Sequence, residues 1–343
     1  MPDVIARTDL IGADFARLRQ GALAQAAEHD LTIAQDDKTG IRVDTYYGRI
    51  GFAPLDGGAR AEILAPHAGH LQVLKDALVA QIGAGFPKIA QSIRWNDAPQ
   101  KGQLPANVNV MTVGSVAPLR GGFLRVILRG DVSRFSDDAI HFRLAIGPQG
   151  RPMQWPAVGA NGATQWPQGA DKLHLPVYTA RSVDHDAGTL CLDLFEHDGA
   201  RATQWASTVP IGSEVLITNP GGGGCRISGE ISGFADETGF PAVARILEAN
   251  PDLTGRFTLY PGQEAAAHYP FPDHAGVEIA FAAPGTQEMM ADAARAVISE
   301  QCPRFLWFVA ERNQASQVRA EWRKTGHAAR GAYISAYWQR LEE

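Results

Sequence analysis

Three patterns of apolar and polar positions follow one another along the chain. Up to about residue 97, apolar residues at helical spacing over 14–29 and 71–82 flank short runs that alternate as strands do. Residues 105–222 contain short strand-like runs separated by turn residues, and from residue 226 such runs alternate with stretches of helical spacing. The order predicts a small α+β domain, an antiparallel barrel and an α/β domain with a parallel sheet.

These patterns set the predicted domain boundaries. Residues 1–97 form a small α+β domain of unknown role, residues 105–222 a six-stranded antiparallel β-barrel, and residues 226–343 a doubly wound parallel α/β domain. The four glycines at 221–224 predict an interdomain hinge, and a long loop over 147–172 is expected to be fastened to the barrel by its two tryptophans. The six predicted barrel strands are 108–116, 122–128, 140–146, 177–182, 189–195 and 214–218.

Composition and charge limit the functions that the chain can have. The formal net charge of −6 argues against a nucleic-acid surface, which needs a basic face. No run of about 18 apolar residues occurs, so no membrane insertion is expected, and the first residues lack the segments of a secretory signal. Cys191, Cys225 and Cys302 lie far apart, which favours reduced thiols and hence a cytoplasmic protein. The histidines form no H-E-x-x-H motif, so no metal site is predicted.

The first candidate site lies on the predicted strand at 177–182. Alternate side chains of a strand face opposite sides, so Tyr178 is separated from Thr179 and Arg181. A tyrosine ring can lie against a flat heterocycle, a threonine can supply a hydroxyl to it, and the planar fork of an arginine suits a pyrophosphate. Taken alone, this tetrapeptide is more typical of an exposed strand.

The second candidate site lies at 197–205, where a turn at Gly199 leads into a short predicted helix. The amino terminus of a helix presents free N–H groups and partial positive charge, which suit a dinucleotide pyrophosphate, and Arg201 would reinforce them. Taken alone, the string is better explained as a strand–loop–helix connection with Trp205 as a core anchor. The residues of this candidate site are His197, Gly199, Ala202, Thr203 and Trp205.

The third candidate site follows the first predicted strand of the α/β domain. Thr238 can cap the next helix and the acidic Asp236 can offset its dipole, so helix stability alone would explain the string. No G-x-G-x-x-G sequence is present, so the ordinary dinucleotide fingerprint is missing. Further along the chain, Glu311 follows another predicted strand, and Trp338 lies on the last one, where aromatic residues are more often part of a core.

Taken together, these strings resemble the siderophore-interacting proteins, a family of FAD-containing ferric-siderophore reductases. The resemblance covers roughly residues 105–340 and implies the ferredoxin-reductase arrangement, in which the barrel holds flavin and the α/β domain holds the nicotinamide cofactor. The first hundred residues resemble a small domain of unassigned role that is sometimes fused ahead of such reductases. The motifs that carry the resemblance are W-P at 166–167, Y-T-x-R at 178–181, His197 with A-T-x-W at 202–205, D-E-T at 236–238 with P-A at 241–242, A-E at 310–311 and A-Y-W at 336–338.

Two departures from the family pattern concern the FAD site. Pro176 stands where the family motif R-x-Y-T-x-R has its first arginine, so one expected cation is missing. The family string G-P-A-S-x-W is A-R-A-T-Q-W at 200–205, which keeps a hydroxyl and the tryptophan but loses the Gly-Pro turn. Arg201 offers the charge that Pro176 lacks, and the chain is similar to a divergent member of the family.

The resemblance implies an enzyme that passes electrons from NADH or NADPH through FAD to iron(III) held by a siderophore. Thr179 would be the catalytic residue, beside the flavin N5. Two alternatives stay open: a general NAD(P)H:flavin or quinone oxidoreductase on the same scaffold, and a non-enzymatic siderophore-binding protein whose flavin site has decayed. The residues assigned to the cofactors are Tyr178, Thr179, Arg181, His197, Gly199, Ala202, Thr203, Trp205, Asp236, Thr238, Glu311 and Trp338.

Overall fold

The structure is a computed structural model that describes residues 3–29, 31–97, 101–197, 199–299, 304–327 and 329–340. The chain divides into an amino-terminal unit, Met1–Asn109 with Gly147–Leu173, and a carboxy-terminal unit, Val110–Ile146 with His174–Glu343. Cys191 and Cys225 are buried free thiols, whereas Cys302 lies outside the described residues. Across the described ranges, no helix is long and apolar enough to cross a membrane.

Within those ranges the chain forms twenty β-strands and seven α-helices. The strands are β1 (Val4–Ile11), β2 (Thr32–Asp37), β3 (Gly40–Thr45), β4 (Gly48–Leu55), β5 (Gly58–Ala65), β6 (Val108–Leu119), β7 (Phe123–Arg129), β8 (Ala139–Ala145), β9 (Ala157–Val158), β10 (Thr164–Gln165), β11 (Val177–Thr179), β12 (Ser182–Asp184), β13 (Thr189–Phe195), β14 (Glu214–Thr218), β15 (Gly221–Gly224), β16 (Glu230–Asp236), β17 (Thr254–Tyr260), β18 (Val277–Phe281), β19 (Phe305–Glu311) and β20 (Ala332–Trp338). The helices are α1 (Phe15–Glu28), α2 (Ala68–Gly85), α3 (Pro87–Ser92), α4 (Arg201–Thr208), α5 (Phe240–Ala249), α6 (Met290–Ser299) and α7 (Arg312–Lys324).

The amino-terminal unit is built on a five-stranded antiparallel sheet in the order β1-β5-β4-β3-β2. Buried and exposed residues alternate along β1, so one face of that strand packs in the core and the other faces outward. The apolar stripe predicted for α2 packs in the same core. Its four residues are all buried: Leu71, Leu74, Leu78 and Ile82.

The loop between β8 and β11 belongs to the amino-terminal unit, not to the barrel. The half-buried carboxylate of Asp76 on α2 accepts hydrogen bonds from the N–H and the hydroxyl of Thr164, both at 2.7 Å. Gln72 on the same helix donates to the carbonyl of Gly162 at 2.8 Å. Trp155 is 38% exposed, and polar side chains of α2 hold the loop to the amino-terminal unit, so the predicted fastening to the barrel is wrong.

The barrel of the carboxy-terminal unit is an eight-stranded sheet with the path β11-β8-β14-β6-β7-β13-β12 and with β15 paired to β8. Its two end strands, β11 and β12, are consecutive in the chain. Ala180 donates its N–H to the carbonyl of Ile140 on β8, and Arg181 donates its N–H to the carbonyl of Cys191 on β13. The predicted strand at 177–182 is therefore two strands, β11 and β12, that pair with different neighbours.

The four glycines at 221–224 form strand β15 instead of the predicted hinge. Gly221 lies opposite His141 on β8. Gly223 has a φ of +92°, and a Cβ atom at this position would come within 3.2 Å of the ring of Tyr333. Glycine is favoured there because this positive φ strains any residue with a side chain, and because the Tyr333 ring leaves little room for a Cβ atom.

The parallel sheet of the same unit has the strand order β18-β17-β16-β19-β20, which confirms the predicted doubly wound α/β architecture. The order reverses between β16 and β19, because the chain builds one half outward from β16 and the other from β19. In such sheets, ligands bind beyond the carboxyl ends of the strands at this reversal. Asp236 ends β16 and Glu311 ends β19, so both lie where a ligand crevice is expected.

Candidate functional site

Four of the predicted site residues lie together at the carboxyl edge of the parallel sheet. Asp236 accepts a hydrogen bond from the N–H of Thr238 at 3.0 Å and another from its hydroxyl, and thereby caps the turn that leads into α5. Its other oxygen accepts the indole N–H of Trp338 at 2.7 Å. Glu311 caps α7 in the same way, by accepting the N–H of Asn313 at 2.6 Å.

Burial changes the acid–base behaviour of Asp236. The residue is 4% exposed, and burial raises the pKa of its carboxyl to about 6, because a charged carboxylate is costly away from water. Hydrogen bonds from Thr238 and Trp338 oppose this rise in pKa, and the charge of Glu237 adds to it. The carboxyl therefore exchanges a proton close to neutral pH, at the edge of the sheet where the nicotinamide cofactor is expected.

We expect the environment of Trp338 to change around pH 6, since its indole N–H is bonded to the Asp236 carboxyl. The folded chain binds this proton more tightly than the unfolded chain, in which the carboxyl has its ordinary pKa of 3.8. The free energy of unfolding gained from this proton is therefore complete below pH 3.8 and is lost as the pH rises through about 6. The difference in fluorescence between the wild type and W338F should titrate with an apparent pKa of about 6, and D236N should abolish it. A flat difference between about pH 4 and 8 would contradict this assignment.

His141, which the sequence analysis does not single out, links the barrel to the last strand of the parallel sheet. Its Nε2 lies 2.7 Å from the hydroxyl of Tyr337. The ring of Tyr333 stacks on His141 at 6.4 Å and on Trp307 at 6.1 Å between centroids. Burial raises the pKa of Tyr337 well above its usual range, as does the nearby Asp236, so the phenol is neutral at physiological pH. The even spacing of the two tyrosines on one strand is the sequence signal that places them on one face.

Tyr178 and Thr179 lie on opposite faces of β11. Tyr178 packs against the barrel core together with Trp205, and burial raises the pKa of its phenol. Thr179 is 6% exposed and lies directly opposite His141 where β11 pairs with β8. Opposite residues of an antiparallel pair share a face, so Thr179 is the immediate neighbour of the His141–Tyr337 hydrogen bond.

Arg181 has a different partner from the pyrophosphate that the sequence suggests. Its two terminal nitrogens bond the carboxylate of Glu248 on α5 at 2.6 and 2.7 Å. Arg245, also on α5, donates to the carbonyl of Ala180. A guanidinium held by a carboxylate through two bonds has little capacity left for a phosphate. In this structure Arg181 fixes the corner between β11 and β12 against α5.

A second ion pair, which no sequence motif marks, lies beside Arg181. Asp193 on β13 accepts two hydrogen bonds from Arg125, the residue opposite it on β7, both at 2.7 Å. The hydroxyl of Tyr269 donates to the same carboxylate at 2.6 Å. The Asp193 side chain is fully buried, and burial together with its charge raises the pKa of Tyr269. The network ties two barrel strands to the segment that follows β17.

The amino terminus of α4, together with the turn before it, is suited to binding anions. Gly199 has a φ of +77°, which lets the chain turn into the helix. Ala200, the residue immediately before α4, supplies no side-chain cap. The N–H of His197 donates to the hydroxyl of Thr203 at 3.4 Å, which holds the turn on the helix. Arg201 is exposed at this end. Helix N–H groups without a capping side chain, beside an arginine, suit a phosphate.

These donors fit FAD. The start of α4 with Arg201 suits the pyrophosphate, and Ala202 and Trp205 anchor that helix on the barrel core. Thr179 lies on β11, and the sequence-based expectation that its hydroxyl serves the ring system stays a prediction. Pro176, at the position of the missing arginine, accepts the N–H of Leu144 at 3.0 Å through its carbonyl and so continues the strand pairing.

Comparisons with known proteins match most of the carboxy-terminal unit. Residues 112–224 match the family model of the siderophore-interacting FAD-binding domain, and residues 230–341 match that of the siderophore-interacting protein. The NADPH-dependent ferric-chelate reductase of Escherichia coli (strain K12) is 28% identical over 162 residues, which cover 44% of this chain and 60% of that protein. The chain thus matches 60% of the length of this curated relative.

Solved structures show the same fold. The siderophore-interacting protein SipS from Aeromonas hydrophila superposes with a TM-score of 0.54 and 20% identity, over 68% of this chain and 99% of that chain. A siderophore utilization protein from T. fusca superposes with a TM-score of 0.56 and 23% identity, over 71% of this chain and 97% of that chain. These likenesses confirm the predicted barrel followed by an α/β domain.

Proposed function

Because the chain belongs to the siderophore-interacting protein family, we propose that it is an NAD(P)H-dependent ferric-siderophore reductase with FAD as its cofactor. One observation carries the proposal: His141, which lies opposite Thr179 in the barrel, is hydrogen-bonded to Tyr337, and the next residue, Trp338, is hydrogen-bonded to Asp236 at the edge of the parallel sheet. The name of the curated relative, a ferric-chelate reductase, supports it. We also propose a cytoplasmic location, which the free thiols of Cys191 and Cys225 support.

The residues of the barrel would hold and orient the cofactor. FAD, when bound, supplies hydride acceptance from a nicotinamide and one-electron transfer to iron(III). The start of α4 and Arg201 would neutralise its phosphates, while Tyr178 and Trp205 stiffen the wall beside it. Thr179 would hold its hydroxyl toward the reacting end of the ring.

The residues of the parallel sheet would position NAD(P)H. Asp236, Thr238 and Glu311 border the crevice at the reversal of strand order, and Trp338 lies over Asp236 through its indole hydrogen bond. Trp338 is 39% exposed, so its ring presents a free face to a ligand at this edge. Siderophore oxygens are hard ligands for iron(III), so iron as a substrate needs no protein ligand here.

Replacing Arg201 by alanine is expected to raise the Kd for FAD about tenfold or more, since a hydrogen bond to a charged group contributes about 1.5–3 kcal/mol. R256A, which removes an exposed arginine on β17, is the matched control and should leave the Kd unchanged. R181A tests the phosphate contact suggested by the sequence. Loss of FAD affinity in R181A with none in R201A, measured by flavin fluorescence, would assign the phosphate to Arg181 instead.

Re-oxidation of the reduced protein tests the acceptor. FAD-loaded protein reduced anaerobically by NADPH should regain its yellow colour on addition of a ferric siderophore, with iron(II) trapped by a chromogenic chelator. A quinone should re-oxidise it more slowly. Equal rates with both acceptors would favour the general oxidoreductase, and failure to bind FAD would favour the non-enzymatic siderophore-binding protein.

A further inference from the structure

The two ends of the parallel sheet differ in their connection to the barrel. Tyr337, which is hydrogen-bonded to His141 of the barrel, lies on β20, at one end of the strand order β18-β17-β16-β19-β20. A nicotinamide ring must reach the flavin that the barrel is proposed to hold, so this ring belongs at the β20 end. β17 lies three strand spacings away, about 14 Å, which an extended dinucleotide can span. The adenosine half of the coenzyme is therefore expected over the carboxyl ends of β16, β17 and β18.

A carboxylate and an amide come together at this end of the sheet. Glu237 follows β16, and its Oε2 accepts the N–H of Gly262, which comes shortly after β17, at 3.1 Å. A Cβ atom on Gly262 would come within 2.8 Å of Oε1 of Glu237 and within 2.6 Å of Nε2 of Gln287. The missing side chain therefore lets an acceptor and a donor lie beside one backbone position. All three residues are half-buried, so each keeps some surface exposed to a ligand.

This pair of groups suits the hydroxyls of a ribose. A carboxylate accepts hydrogen bonds from hydroxyl groups, and an amide N–H donates one. In doubly wound sheets an acidic side chain binds the ribose 2′-hydroxyl of NAD, whereas an arginine accommodates the 2′-phosphate of NADP. Glu237 would present a like charge to a 2′-phosphate, and such a contact disfavours binding.

The connections that follow β17 and β18 are acidic. Residues 257–294, which contain both connections, include no lysine or arginine. Glu264 begins the helical turn after β17, and Glu288 lies in the turn after β18. Both residues are exposed. Because arginine and lysine are the residues that bind phosphate in proteins, these connections favour a hydroxyl over a phosphate on the ribose.

We propose that the coenzyme of this chain is NADH, and that Glu237 and Gln287 bind the hydroxyls of its adenosine ribose and discriminate against NADPH. This choice of coenzyme rests on the proposed function, since it takes the edge of the parallel sheet as the nicotinamide site. The curated relative is named for NADPH, so we infer that the two proteins differ in coenzyme. NADPH at high concentration still reduces the flavin, because the discrimination lies in binding and not in hydride transfer.

Isothermal titration calorimetry of the full chain with NAD⁺ and with NADP⁺ tests the coenzyme. The wild type should bind NAD⁺ at least about tenfold more tightly than NADP⁺, since a like-charge contact suppresses the wrong ligand. E237Q removes the charge and keeps an oxygen that can accept the N–H of Gly262. The ratio of the two dissociation constants should therefore fall at least about threefold in E237Q. E278Q, which removes an exposed carboxylate near the start of β18, is the matched control and should keep the wild-type ratio.

Equal affinities in the wild type, tighter binding of NADP⁺, or binding of neither nucleotide would overturn the choice of NADH. A wild-type ratio that persists in E237Q would overturn the role of Glu237. Thermal unfolding checks that E237Q is folded, and the wild-type ratio alone decides the coenzyme if it is not. Bleaching of bound FAD by NADH in the same samples separates the two proposals. Preferential binding of NAD⁺ without bleaching would contradict the reductase and leave the discrimination against NADP⁺ standing.

Discussion

Replacing Asp193 by alanine should lower the free energy of unfolding of the carboxy-terminal unit by about 3 kcal/mol. The change removes the carboxylate that accepts two hydrogen bonds from Arg125 and one from Tyr269, and it leaves both donors without their partner. Breaking a buried ion pair costs about 3–5 kcal/mol, and the lower end applies because the Arg125 side chain is 36% exposed and can regain water. Urea unfolding of the purified variants measures the effect.

The surface pair of Asp292 and Arg295 in the same unit supplies the matched control. Both side chains are largely exposed, so D292A should change the free energy of unfolding by about 0–1 kcal/mol. D193N keeps an acceptor oxygen and should fall between the two. If D193A and D292A unfold at the same urea concentration, the network around Asp193 does not hold the barrel strands as described.

Replacing Thr179 by valine should slow reduction of bound FAD by NADPH about tenfold to a hundredfold, while the Kd for FAD changes far less. Valine keeps the shape of the side chain and its preference for strands, so β11 is preserved and the hydroxyl alone is lost. A hydrogen bond to a charge that develops during reaction contributes about 1.5–3 kcal/mol, and each 1.4 kcal/mol is a factor of ten in rate. Stopped-flow bleaching of the flavin colour gives the rate.

T112V is the control for that experiment, since Thr112 is an exposed threonine on the barrel strand β6. It should leave both the rate and the Kd unchanged. Equal losses of rate and FAD affinity in T179V would show that Thr179 supports cofactor binding and does not act at the reacting end.

Local patterns predicted helix α2 and the parallel sheet of the carboxy-terminal unit. The four apolar residues of α2 recur at helical spacing, and all four are buried in the core of their unit. The alternation of strands and helices after residue 226 predicts the parallel sheet, because each crossover helix must cover a face of it. The placement of Asp236 and Glu311 at one edge of this sheet is predicted in the same way, since the carboxyl ends of parallel strands meet there.

Contacts between distant residues could not be predicted in this way. Arg181 looks like a phosphate ligand in its own tetrapeptide, and Glu248, which binds it, lies 67 positions away. His141 meets Tyr337 across 196 positions, so no window of sequence contains both. The glycine run looks like a hinge because nothing local shows that Tyr333 occupies the space of a side chain at Gly223.

The visible spectrum of the protein after incubation with FAD and gel filtration shows whether the chain holds a flavin that a nicotinamide can reduce. We expect the protein to stay yellow, with about one flavin per chain, and anaerobic NADPH to bleach it. Protein that emerges colourless, or that stays yellow in excess NADPH and NADH alike, would contradict the claim that this chain joins a flavin site to a nicotinamide site.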